Sequence, residues 1–96
     1  HVNNGWLGFI DSRNTDINDY YNGYAGNDTP VDAVEIYYYT PDDIINSSGY
    51  HYAFYRVSPR NNNYYSLQKD NNTDNGMDGY AGIFGHFIDR IQINIK

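Results

Sequence analysis

The residues best suited to chemistry in this chain are oxygen donors set at alternating positions. The run Asp70-Asn71-Asn72-Thr73-Asp74-Asn75-Gly76-Met77-Asp78 offers Asp70, Asn72, Asp74 and Asp78, a pattern that wraps a calcium ion. No helix pair flanks it, Ala81 stands where an EF-hand carries its bidentate Glu, and the Gly falls one place late. The alternative is a solvated Asn/Asp-rich hairpin loop. Asp11, Asn14, Asp16, Asn18 and Asp19 form a weaker version of the same run. Catalytic patterns are thinner still. His1, His51 and His86 are scattered, with no H-x-x-x-H pair. Ser12, Ser47, Ser48, Ser58 and Ser66 lie outside any G-x-S-x-G context. The absence of cysteine removes thiolate metal sites, Cys nucleophiles and disulfides together. An Asp pair for glycoside hydrolysis is the remaining catalytic alternative, but Glu35 is the sole Glu and most Asp residues fall in turns, where a raised-pKa acid is hard to build. The expectation is a chain that is not an enzyme.

Composition points instead to contact with polar ligands. Tyr contributes 12 of the 96 residues and Asn 14. An aromatic ring gives contact area at low entropy cost, and an amide gives paired donors and acceptors. The formal charge of −6, with no basic cluster, excludes a nucleic-acid backbone or an anionic lipid surface as expected partners. No stretch approaches the roughly 18 consecutive apolar residues of a membrane span, and no apolar leader follows the start. The expectation is a soluble, mature or excised segment without membrane insertion.

These side chains must be positioned by strands. Leu occurs only as Leu7 and Leu67, so strong helix formers are scarce, while Tyr and Ile favour strands and Asn, Asp and Gly favour turns. Apolar patterning predicts strands at 5–10, 31–39, 50–57, 64–68, 79–84 and 87–95. In 50–57, Tyr50, Tyr52 and Phe54 alternate with His51, Ala53, Tyr55 and Val57; Ile91, Ile93 and Ile95 make the clearest period-2 face. The connections 11–23, 40–49, 58–63 and 70–79 are rich in Asn, Asp, Gly and Pro, and helix content is expected to be close to nil.

Two stretches repeat. Tyr24-Ala25-Gly26 precedes Val31-Asp32-Ala33-Val34-Glu35-Ile36, and Tyr80-Ala81-Gly82 precedes Ile88-Asp89-Arg90-Ile91-Gln92-Ile93. A weaker echo aligns His1-Val2 with Arg56-Val57. The expected organisation is one β domain, 1–96, made of two repeats of about 50 residues, 1–42 (incomplete at its start) and 50–96.

The residues His1-Val2-Asn3-Asn4-Gly5-Trp6-Leu7-Gly8-Phe9-Ile10, then Ala25-Gly26 and Val31-Asp32-Ala33-Val34-Glu35-Ile36, resemble the ChW repeat of clostridial surface and secreted proteins. In the second copy Tyr64 or Tyr65 replaces the tryptophan and Arg90 the alanine. That resemblance implies a secreted or cell-surface protein that attaches to carbohydrate-rich targets. The segment Gly79-Tyr80-Ala81-Gly82-Ile83-Phe84-Gly85-His86-Phe87-Ile88-Asp89-Arg90-Ile91 is similar to the last Greek key of jacalin-like β-prism lectins. It implies a sugar-binding G-x-x-x-D turn at Gly85, His86, Phe87 and Asp89, with Asp89 either a ligand or a turn-stabilising residue.

The reading is therefore an all-β fold, with Greek-key repeats in a β-prism-like or sandwich arrangement. Its expected function is a non-catalytic extracellular module that binds carbohydrate or cell-wall polysaccharide, with calcium as the sole candidate cofactor. Candidate ligand-binding residues are Trp6, Tyr24, Tyr80, Gly85, His86, Phe87 and Asp89, although Trp6 also suits a core. The alternative function is a structural surface protein that forms homo-oligomers through strand edges. The second copy opens with strand 50–57, which has no counterpart before His1 in the first, and 88–96 is the expected strand donor.

Overall fold

The computed structural model describes residues 1–96 except Asn4, Ile17, Tyr21 and Asn22. Regular structure is mostly strand with little helix. It runs β1 (Ala33–Val34), α1 (Asp42–Ser48), β2 (Ala53–Pro59), β3 (Gln68–Lys69), β4 (Ala81–Gly82) and β5 (Ile88–Ile95). All pairings are antiparallel: β1 with β4 in one sheet, and β3, β2, β5 in that order in another.

The strand β2 organises the core. Its alternation sends Ala53, Tyr55 and Val57 inward, where they meet Ala81 of β4 and the partly buried Val34, Ile36, Tyr38, Tyr65 and Ile88. A buried tyrosine needs a partner for its hydroxyl. Tyr55 finds one by donating to the carbonyl of Asp70 at 2.7 Å.

The strand β5 shows the expected period-2 face in an unexpected setting. Register pairs Ala53 with Ile95, Tyr55 with Ile93 and Val57 with Ile91, so the three isoleucines share the core face of β2. Yet Ile91, Ile93 and Ile95 remain 47%, 54% and 43% exposed. β5 is an outer strand of its sheet, and its apolar stripe is left about half exposed.

Several expected elements change. The strand expected at 31–39 narrows to Ala33–Val34. The α-amino group of His1 donates to the Ala33 carbonyl at 2.8 Å, and Asp32 N–H donates to the His1 carbonyl at 3.1 Å. His1 thus stands beside Ala33 as Ser58 stands beside Arg90, which shifts the register of the weaker sequence echo. β5 extends because β2 lies along it, whereas among the described residues no strand continues along 35–39. Residues 5–10 form no strand; only Gly5 pairs, in an isolated bridge with Val2.

A seven-residue helix, α1, replaces the loop expected within 40–49. Pro41 precedes it with extended backbone, and Asp42 and Asp43 occupy the first turn, where carboxylates meet the positive end of the helix dipole. Gly49, at φ 88°, ends it by donating its N–H to the Ile45 carbonyl.

Candidate functional site

Two buried carboxylates set the geometry of the surface. Asp32 accepts from His1 Nδ1 at 2.6 Å through one oxygen and from Gly85 N–H at 2.8 Å through the other. It therefore ties the start of the chain to the 83–86 turn, which His86 N–H closes by donating to the Ile83 carbonyl. Burial pushes the His1 α-amino group below its ordinary value, against the opposing pull of Asp32. Above this knot the rings assemble. His1 stacks on Phe84 at 3.8 Å, Phe84 stacks on Tyr80 at 5.2 Å, and Trp6 meets His1 and Tyr80 edge-on. Trp6 also borders a cleft of about 460 Å³ that continues past Phe9 and Ile10 to Ala25, Gly26 and Glu35.

The second carboxylate is Asp70. One oxygen accepts both Ala53 N–H, at 2.9 Å, and Tyr38 N–H, at 3.1 Å. That holds the tyrosine-rich segment 37–39 against the start of β2. The result is a pocket of about 290 Å³ lined by Tyr37, Tyr39, Tyr50 and Tyr52, with Asp42 and His51 at its polar side. Thr40 Oγ1 accepts from His51 N–H and donates to the His51 carbonyl, both at 3.0 Å, so the two arms of the pocket are pinned. His51 Nε2 lies 2.9 Å from Ser48 Oγ at the end of α1. Tyr39 carries the Arg13 guanidinium 3.9 Å over its ring. Arg13 also forks onto Asp11 and holds that carboxyl down at about 2. Lys69 covers the ring of Tyr52 at 3.9 Å. Tyr50 and Tyr37 have no ring or cation partner among the described residues, and they stand 65% and 58% exposed.

Of the expected ligand-binding residues, the structure brings Trp6 and Tyr80 into one aromatic nest. Tyr24 and Phe87 are exposed apart from it. The Gly85 N–H is directed inward to Asp32 rather than outward. His86 is exposed, and Asp89 is exposed on β5 with no hydrogen bond or ion pair among the described residues. The carboxylate that braces the 83–86 turn is Asp32, which occupies the same place in the first repeat as Asp89 in the second. In the calcium-like run, Asp70 is committed to backbone N–H groups, while Asp74 and Asp78 face solvent and Asn72 is half-buried. Among the described residues no three His, Asp or Glu side chains converge as a metal site.

Sequence reasoning did not single out Asp32, Phe84 or the pocket around Tyr50. The repeat held a signal for Asp32, since it aligns with Asp89. The pocket had none, because its walls come from 37–42 and 50–52, brought together by Asp70 and α1. No protein-family model, curated protein or solved structure matches this chain.

Proposed function

We propose that this chain is a non-catalytic extracellular module that binds carbohydrate or cell-surface polysaccharide, and that sugar sits in the tyrosine pocket. The observation that carries the reading is the pair of exposed rings, Tyr37 and Tyr50, at a pinned pocket that also offers Asp42 and His51. Sugar rings present C–H faces that pack on aromatic rings, and hydroxyl groups that pair with carboxylate and imidazole. Small-molecule pockets span about 300–1,000 Å³, so this one suits a single saccharide unit rather than an enclosed chain. In this reading the two repeats are Greek-key-like units in a prism-like or sandwich arrangement, on a secreted or cell-surface protein. The matching placement of His1 beside Ala33 and Ser58 beside Arg90 supports that organisation.

The test is binding to a glycan array and to cell-wall polysaccharide by the wild type, Tyr50→Ala and the Tyr37→Ala/Tyr50→Ala pair. Both rings are largely exposed, so substitution changes stability by about 0.5 kcal/mol or less each. The expected result is at least a tenfold loss of affinity for the double variant with an unchanged unfolding curve. A wild type that retains no glycan sinks the reading. Undiminished binding by the double variant moves the site elsewhere, and Asp89→Ala then tests the exposed pair Phe87 and Asp89.

A second reading, a structural module associating through strand edges, is favoured by one observation: β5 is the longest strand yet lies outermost in its sheet with a half-exposed apolar stripe.

A further inference from the structure

The two repeats are joined by a pairing that has an unused duplicate. β1 of the first repeat pairs with β4 of the second, Ala33 opposite Gly82 and Val34 opposite Ala81. In sequence terms, the V-D-A-V of one repeat receives the Y-A-G of the other. The fit depends on glycine. Gly82 adopts φ +127°, and a Cβ there would collide with the Asp32 carbonyl and crowd Ala33. The chain contains a second Y-A-G, Tyr24-Ala25-Gly26, and a second acceptor for it, Ile88-Asp89-Arg90-Ile91. Gly26 has a similar φ, +141°, but no described residue lies within 4 Å of where its Cβ would be.

The counterpart on β5 is open in the matching direction. Lys96 N–H donates to the Tyr52 carbonyl, so the even-numbered residues of β5 exchange hydrogen bonds with β2. Ile91, Ile93 and Ile95 therefore turn their amides and carbonyls away from β2. Val34, which pairs with Ala81, has Ile91 as its repeat counterpart. Arg90 does not obstruct this edge. Its guanidinium is drawn back over the neighbouring strand by Ser58 Oγ at 2.9 Å and the Asn62 carbonyl at 2.6 Å.

We propose that a second copy of this chain completes both halves: Arg90 and Ile91 of one molecule pair antiparallel with Gly26 and Ala25 of the next, in the register of β1 with β4. The proposal rests on the second reading above, edge association, and supplies its partner and register. Because donor and acceptor are different surfaces of the molecule, the contact is head to tail. It propagates into a filament unless the rotation closes a ring.

The experiment uses two variants of the full chain, followed by sedimentation velocity across a concentration series. Gly26→Val blocks the Y-A-G segment, since a β-branched residue is strained at positive φ. Ile91→Pro blocks the β5 edge that receives it, and Pro is tolerated on an edge strand where the lost N–H faces outward. The wild type is expected to form concentration-dependent oligomers larger than dimers or closed rings. Each variant alone is expected to be monomeric at tenfold higher concentration, and the two mixed to form one-to-one dimers that grow no further. In the wild type, amide exchange of Ala25 and Ile91 should slow together as concentration rises, a readout that holds even if a variant fails to fold. Dimers of Gly26→Val alone overturn the head-to-tail register in favour of symmetric β5-to-β5 pairing and leave edge association standing. A wild type that stays monomeric, with both amides exchanging at a concentration-independent rate, overturns edge association as well.

Discussion

At the scale of single residues, Asp70 does the most structural work. Its carboxylate accepts from Ala53 and Tyr38, its N–H donates to the Ala53 carbonyl at 2.8 Å, and its own carbonyl receives the Tyr55 hydroxyl. One carboxylate oxygen accepts both N–H groups, so an amide oxygen can keep both bonds. Asp70→Asn should therefore cost about 1 kcal/mol, whereas Asp70→Ala leaves buried donors unsatisfied and should cost about 3 kcal/mol in a urea titration. Near-equal losses would show that the charge, not the oxygen position, matters. The same commitment bears on the calcium reading: with Asp70 turned to the backbone, millimolar calcium or a chelator should leave Tm unchanged, and a calcium-dependent rise would restore the metal site. Tyr55 supplies a pH test. Burial pushes its phenol up from the usual value. Its contribution is thus complete below an unfolded tyrosine pKa of about 10 and is lost as pH rises above it. Alkaline destabilisation should be smaller in Tyr55→Phe than in the wild type, measured by thermal unfolding between neutral pH and strongly alkaline buffer. These two residues were differently visible in sequence. Tyr55 lies on an alternating face with Ala53 and Val57, but nothing in an Asn/Asp-rich run marks Asp70 as the buried member.

At the scale of elements, pattern told which face a strand shows but not whether anything covers it. The alternation of 50–57 named Ala53, Tyr55 and Val57 together, and these are buried in β2. The alternation of Ile91, Ile93 and Ile95 was equally clear, yet in β5 it meets solvent, because coverage depends on which elements are neighbours. β1 stopped short of its apolar pattern for a related reason: a ladder needs a partner, and residues 35–39 have none among the described strands. Helix α1 was illegible because DDIINSS is too short for helical periodicity and is made of residues common in turns. Its formation follows from Pro41, the two carboxylates of its first turn and Gly49. The link between β1 and β4 is the most exacting element contact. Gly82→Ala must place a Cβ against the Asp32 carbonyl at an unfavourable φ. It should cost about 2–3 kcal/mol by equilibrium unfolding. Gly26→Ala meets no neighbour among the described residues and should lose only the conformational part, about 1 kcal/mol. Equal losses at the two glycines would deny that the β1–β4 approach is tight.

At the scale of the whole molecule, a small core is shared between residues 1–42 and 50–96 rather than owned by either segment. The largest fully buried side chains among the described residues are Tyr55, Val57 and Ser58, all on β2. The 1–42 segment reaches them through Val34, Ile36 and Tyr38. Three polar ties also cross the boundary: Asp32 to Gly85, Asp70 to Tyr38, and the β1–β4 pairing. Neither half therefore keeps a core when the other opens, and the expected unfolding is a single cooperative transition. Two probes report on different halves. Trp6 is the sole tryptophan and sits in the 1–42 segment against Tyr80 and Phe84 of the 50–96 segment, while far-ultraviolet dichroism is weighted towards β2 and β5. Their urea curves should coincide in midpoint and slope. Asp32→Ala should move both together to lower denaturant, because it releases His1 and the 83–86 turn at once. If tryptophan fluorescence changed first while the dichroism held, the repeats would be separable units, and the polar ties between them would be decoration on two independent folds.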